Sequence, residues 1–149
     1  MEGFCNKVAI TRGNLDGTLG MKSIRLSTVL FDWGNTVMVD NPSSMIPMVE
    51  WDSIEVVQGI EAVLAYLQES GRHIVLATSA SISNEAQIHA ALARGGLDKY
   101  FSRIFCFENT GLPKGGEFYR FVLEQLEVQA SDALMVGDSS RKMYWMRTR

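Results

Sequence analysis

Four short apolar runs, most of them ending abruptly in a polar residue, constrain this chain more than any other feature. They are Thr28-Val29-Leu30-Phe31 before Asp32, His73-Ile74-Val75-Leu76-Ala77 before Thr78, the weaker Arg103 to Phe107, and Ala133-Leu134-Met135-Val136 before Gly137-Asp138. Runs of this length without polar alternation suit strands buried on both faces, as in a parallel sheet. Between them the apolar period becomes helical. Ile60, Val63, Leu64 and Leu67 are spaced as one helix face over 58–70, with Gly71 closing the segment. Ile88, Ala91 and Leu92 do the same over 84–94, stopped by Gly95-Gly96, and Phe118, Phe121 and Val122 over 117–126. Strands alternating with helices predict an α/β fold, three layers deep, with a mainly parallel sheet covered by helices on both faces. Ligands in such sheets sit beyond the carboxyl ends of the strands, so Asp32, Thr78 and Asp138 are predicted to share one rim.

Size and charge narrow the function classes. A chain of 149 residues that is 46% hydrophobic can bury one core, and is too short for two comfortable ones. Residues 1–27 carry Gly3, Gly13, Gly17 and Gly20 with little periodicity; they read as a flexible or non-native arm ahead of a core domain over 28–149. A net charge of −3 offers no basic face to nucleic acid. No run approaches the roughly 20 apolar residues of a membrane span, and no signal-peptide core stands out, so a cytoplasmic protein with no membrane partner is expected. Cys5 and Cys106 are far apart and suggest neither a disulfide framework nor a zinc site, which favours a reducing compartment.

The residues at the strand ends carry a family resemblance. Val29-Leu30-Phe31-Asp32-Trp33-Gly34-Asn35-Thr36 resembles the first motif of the haloacid dehalogenase-like hydrolase superfamily, four apolar residues followed by Asp-x-Asp-x-Thr. Ile74 to Ser79 is similar to its second motif, Lys114 after Thr110-Gly111-Leu112-Pro113 to its third, and Met135-Val136-Gly137-Asp138-Ser139 to the start of its fourth. Each motif is weak alone. An aspartate after a strand is commonly a turn or helix cap, and a loop lysine is usually a solvated one. Four motifs in order over 28–140 are specific.

The resemblance implies a Rossmann-like core and a Mg²⁺-dependent phosphatase acting on a small phosphorylated metabolite. By it, Asp32 is the nucleophile that forms an aspartyl-phosphate, Thr78 hydrogen-bonds the transferring group, and Lys114 neutralises charge on that group and on Asp32. Asn35, Thr36 and Ser79 bind substrate; Asp32, the Gly34 carbonyl and Asp138 hold Mg²⁺. Trp33 shields the nucleophile or packs, and Met45, Met48 and Trp51 line the pocket mouth or pack a loop over 37–57. His73 and His89 are surface or strand-edge residues.

Two departures qualify the activity. The second aspartate of the first motif, which protonates the leaving oxygen and activates water, is replaced by Gly34. Losing such a group costs roughly 10²–10⁴ in rate, so a slow hydrolase is expected. The acid that usually follows the fourth motif is replaced by Lys142 and Met143, in a basic segment over 141–149 that lacks the last βα unit. That gap would leave apolar surface uncovered and favours a homodimer. The cap that many relatives insert between the first two motifs is absent or minimal, which leaves the site open. The alternatives are a degenerate member that binds ligands or proteins without turnover, and a dehalogenase-like hydrolase, whose departing halide needs no proton. A phosphonatase-like reaction needs a cap lysine, and residues 37–98 contain none.

Overall fold

A computed structural model describes residues 9–12 and 26–138. The expectations that concern Lys142, Met143 and the 141–149 segment lie outside the described residues, as does Cys5. The described strands are β1 (Ala9–Arg12), β2 (Thr28–Phe31), β3 (His73–Ala77), β4 (Arg103–Phe105) and β5 (Ala133–Gly137), and the helices are α1 (Ile60–Glu69), α2 (Glu85–Arg94), α3 (Phe107–Thr110) and α4 (Gly116–Leu126). The strand order is β1-β5-β2-β3-β4. Strands β5, β2, β3 and β4 pair in parallel, as the apolar runs predict, and β2 lies in the interior between β3 and β5.

Burial on both faces explains why the runs lack polar alternation. Val29, Phe31, Ile74 and Leu76 point to one face, where Ile60 and Leu64 of α1 and Ile88 and Leu92 of α2 cover them. Leu30, Val75, Ala77 and Met135 point to the other, against Phe118, Tyr119 and Val122 of α4. Successive side chains of a strand alternate between faces, so a four-residue apolar strand feeds two cores at once. An edge-to-face contact of Phe31 with Phe101 extends the first core.

The helix limits have local causes. Asn84 caps α2 in a reciprocal box, its side chain accepting from Gln87 N–H while the Gln87 side chain accepts from Asn84 N–H. Gly59, at φ +83, begins α1 in the left-handed region that favours glycine. The one-turn helix α3 was not foreseen from the weak apolar run at 103–107, which ends as a strand at Phe105.

Two further departures from the sequence pattern shape the molecule. Ala9–Arg12, inside the stretch given no element, pairs antiparallel with β5 in the register Ala9↔Gly137 to Arg12↔Leu134. The stretch 37–57, expected as a loop or a very small insertion, is an arch whose two legs hydrogen-bond: Val39 N–H donates to the Glu55 carbonyl at 2.8 Å and Val57 N–H to the Val37 carbonyl at 3.0 Å. Arg94, the last residue of α2, pins the arch by donating Nη1 to the carbonyls of Val49 and Trp51, each at 2.8 Å. Met38 and Val56 at its feet pack on Gly95, where a Cβ would meet Val56 Cγ1 at 2.9 Å and Met38 Cε at 3.3 Å.

That close approach makes Gly95→Ala a test of the arch. Overpacking costs about 1–3 kcal/mol, against about 0.4–1 kcal/mol gained by restricting the unfolded chain. The expected outcome is a net loss of about 1 kcal/mol in urea unfolding, relieved when Val56→Ala is added, so that the two substitutions couple in a double-mutant cycle.

Candidate active site

The chain runs β2 to β3 to β4 in one direction across the sheet, then returns to place β5 on the other side of β2. The crossover out of β2 through α1 lies on one face of the sheet and the crossover into β5 through α4 on the other. The switch point therefore falls between β2 and β5, and a crevice opens at their carboxyl ends, where α/β proteins bind ligands. Register fixes what stands there. Phe31 is opposite both Leu76 and Val136, so Asp32 comes level with Ala77 and Gly137, with Thr78 and Asp138 one step beyond. Asp32 N–H donates to the Val136 carbonyl at 2.8 Å and Thr78 N–H to the Phe105 carbonyl at 2.9 Å, so both strand ends are still in the ladder where the side chains enter the crevice.

The crevice holds a cavity of about 340 Å³. Asp32, Gly34, Asn35, Thr78, Ser79 and Asp138 line it, together with Trp33, Met48 and Trp51. Lys114 comes in from the segment ahead of α4: its Nζ is 2.8 Å from Asp32 Oδ1, with the lysine side chain 2% exposed and the aspartate 13%. Trp33 N–H donates to the same Oδ1 at 2.9 Å. One oxygen of Asp32 is thus held by two donors, while Oδ2 has no partner among the described residues. Tyr119 lies beneath on α4; burial, and then the negative charge of Asp32, push its phenol well above its ordinary pKa, so it stays protonated. Its hydroxyl and Trp33 Nε1 are buried without a hydrogen-bond partner among the described residues.

The predicted residues fall into different places. Thr78 is buried, and its Oγ1 accepts from Ala80 N–H at 3.1 Å, so the hydroxyl that faces the cavity also fixes the turn beyond β3. Thr36 lies among the buried residues and not on the cavity wall; its Oγ1 is unpartnered among the described residues. Asn35 lines the wall in the left-handed region at φ +57, a conformation asparagine tolerates, and its Oδ1 accepts from Asp40 N–H at 3.0 Å. Met45 is 83% exposed and lies off the wall, whereas Met48 and Trp51 are on it. His89 lies outside the cavity with its Nδ1 2.6 Å from Asp98 Oδ1, a partner that sequence spacing did not reveal. Cys106 is buried, and burial raises its thiol pKa, which keeps it a poor nucleophile.

Sequence reasoning missed two contributors. Asp40 lines the cavity from the arch. Arg94 holds the arch from outside. No motif marks either, because both depend on how 37–57 folds back.

The donor set can be judged against a divalent cation. Asp32, Asp138 and Gly34 all line the cavity, and carboxylates and a main-chain oxygen are hard donors. No three carboxylate, imidazole or thiol groups converge on one point among the described residues. Mg²⁺ commonly binds through one or two carboxylates and completes its octahedron with waters, so the set fits that ion.

A family model described as haloacid dehalogenase-like hydrolase matches residues 43–144, which begins after the Asp32 strand and spans most of the chain. No curated protein matches. Solved structures share the fold at low identity. A protein from Listeria monocytogenes serotype 4b aligns with TM-score 0.64 and 17% identity over 72% of this chain and 65% of its own, so this chain spans just under two thirds of that relative. A haloacid dehalogenase-superfamily hydrolase of subfamily IA from Geobacter sulfurreducens aligns with TM-score 0.61 and 15% identity over 81% and 84%. CbbY from Rhodobacter sphaeroides, solved in complex with xylulose-(1,5)-bisphosphate, aligns with TM-score 0.57 and 15% identity over 72% and 76%. An α/β sheet with its polar strand ends gathered at the switch point, in a chain that matches this family model over most of its length, belongs to the haloacid dehalogenase-like hydrolase family.

Proposed function

We propose that the chain hydrolyses phosphomonoesters of small metabolites, with Asp32 as the nucleophile. The observation that carries this reading is the Asp32–Lys114 pair at 2.8 Å, with the lysine side chain buried and the aspartate on the wall of the switch-point cavity. A carboxylate cannot approach a dianionic phosphate unless positive charge is fixed beside it, and a lysine shielded from water supplies that charge at greatest strength. The cavity, about 340 Å³, lies at the small end of ligand sites, which suits a compact phosphorylated metabolite. The bisphosphate in the CbbY complex belongs to that protein, and supports the substrate class here by analogy of fold.

Each side chain then has a task. Lys114 and Trp33 N–H hold Oδ1, which fixes the carboxylate and leaves Oδ2 for in-line attack on phosphorus. The ester P–O bond breaks as the Asp32 P–O bond forms, and water then displaces Asp32 to release inorganic phosphate. Thr78 donates its hydroxyl hydrogen to a phosphoryl oxygen while its lone pair keeps the Ala80 contact. Asn35 and Ser79 contact the rest of the substrate from the rim. A Mg²⁺ ion held by Asp32, Asp138 and the Gly34 carbonyl supplies charge neutralisation when bound.

Purified protein with Mg²⁺ is expected to release phosphate from para-nitrophenyl phosphate, with Asp32→Asn reducing release to background; equal release by both proteins would overturn the reading. Lys114→Met is expected to lower kcat by about 10²–10³, the scale of one lost electrostatic stabiliser. The same change leaves Asp32 buried without its partner and is expected to cost about 3–5 kcal/mol in urea unfolding. Calorimetric titration should show Mg²⁺ binding that Asp138→Ala weakens by at least about 10–100-fold, the scale already carried by partners one shell farther out.

A further inference from the structure

The weak point of the proposed chemistry is Gly34, whose position has no side chain to move a proton. The space beside it is filled. A Cβ built on Gly34 would come within 3.1 Å of Asp40 Oδ2, 3.2 Å of Asp40 Cβ and 3.3 Å of Asp40 Cγ. The Asp40 carboxylate therefore occupies the volume into which a side chain at position 34 would project. It reaches that volume from the arch, six residues along the chain. We propose that Asp40 is the general acid and base of this site, delivering from the arch the carboxyl group that the first motif lacks.

Three observations point the same way. Asp40 lines the same cavity as Asp32 and Thr78, and is exposed to it, so water and a leaving group can reach its oxygens. Its backbone is fixed: Asp40 N–H donates to Asn35 Oδ1 at 3.0 Å, and the preceding Val39 N–H donates to the Glu55 carbonyl at 2.8 Å. Its carboxylate is not spent on a cation, since no ion pair engages it among the described residues, and it does not complete a three-ligand cluster with Asp32 and Asp138. A fixed backbone, an accessible carboxylate and a place beside the nucleophile's strand end are what proton transfer requires.

The reading rests on the hydrolase assignment above, and its steps balance. Asp32 Oδ2 forms a bond to phosphorus as the ester P–O bond breaks, and protonated Asp40 gives its proton to the departing alkoxide, yielding the alcohol. The Asp40 carboxylate then takes a proton from the water that attacks the aspartyl-phosphate. The Asp32 P–O bond breaks, phosphate leaves, and both carboxyl groups return to their starting states.

The role predicts a dependence on leaving group. An alkoxide needs its proton, whereas nitrophenolate leaves as the anion. Asp40→Asn is expected to lower turnover of glycerol phosphate by about 10²–10⁴. With para-nitrophenyl phosphate the same variant should give a burst of about one nitrophenol per enzyme, followed by a slow phase, because attack survives and hydrolysis of the aspartyl-phosphate does not. The exchange variant Gly34→Asp with Asp40→Gly should recover turnover of glycerol phosphate to within about tenfold of the starting protein, by returning the carboxyl group to position 34. If Asp40→Asn matches the unchanged protein on both substrates while Asp32→Asn is inactive, the hydrolase reading stands and the role of Asp40 falls. Equal losses on both substrates, with no burst and no recovery in the exchange variant, also overturn it. Absence of any Asp32-dependent phosphate release in the unchanged protein overturns the hydrolase reading and this one with it.

Discussion

Strand β2 is hydrogen-bonded on both sides, and the site exists because of that. Val29 is opposite Ile74 on one side and Leu134 on the other, and Phe31 opposite Leu76 and Val136. A slip of one residue against either neighbour would exchange the two faces of β2, putting Leu30 among α1 and α2 and Phe31 among the residues of α4. With both cores filled, that exchange is sterically closed. The carboxyl end of β2 can then stand at only one height, and Asp32 inherits it. The positional accuracy that the proposed chemistry demands of Asp32 is set by hydrophobic packing several residues away.

The electrostatics follow from where that height lies. Burying the Asp32 carboxylate and the Lys114 ammonium takes both from water, a cost their mutual attraction offsets only when geometry is good and further hydrogen bonds join. Trp33 N–H provides one such bond. The hydroxyls of Thr36 and Tyr119 and the Trp33 indole N–H, without partners among the described residues, lie close in chain or space to the same residues. Buried polar atoms left unsatisfied cost about 1–3 kcal/mol each. Strain of this kind gathers where function competes with stability, and α1, α2 and α4 supply the apolar burial that offsets it.

The parts legible in the sequence were those governed by local pattern. Continuous apolar runs gave the four parallel strands, because burial on two faces removes the need for alternation; helical spacing gave α1, α2 and α4 to within a few residues. Asp32, Thr78 and Asp138 were legible as a rim because strand ends in such sheets carry the ligand site. What could not be read were elements whose stability is tertiary. Ala9–Arg12 has no apolar period of its own and is a strand only through pairing with β5. The 37–57 arch holds together through Val39–Glu55 and Val57–Val37 hydrogen bonds that no short-range signal announces. Thr36 matched a motif position, yet its side chain turned inward; a motif fixes residue type and leaves direction to packing.

The arch ties one wall of the cavity to the core. Its tip is held by Arg94 through the carbonyls of Val49 and Trp51, and its feet rest on Gly95, so both anchors sit at the carboxyl end of α2. That helix is itself seated on the sheet by Ile88 and Leu92. The cavity wall is thus built from rigid strand ends on one side and, on the other, from an arch whose position is set by a helix terminus. Carbonyl groups serve as the anchor points, so the arch sequence between them can vary without loss of attachment, because every residue carries a carbonyl. The two halves also meet directly, since Met48 and Trp51 of the arch pack in the same core as Phe31 and Trp33 at the end of β2, and Asp40 N–H donates to Asn35 Oδ1. A change in the arch is therefore felt at the strand ends, and the cavity's shape is set by both halves packing together.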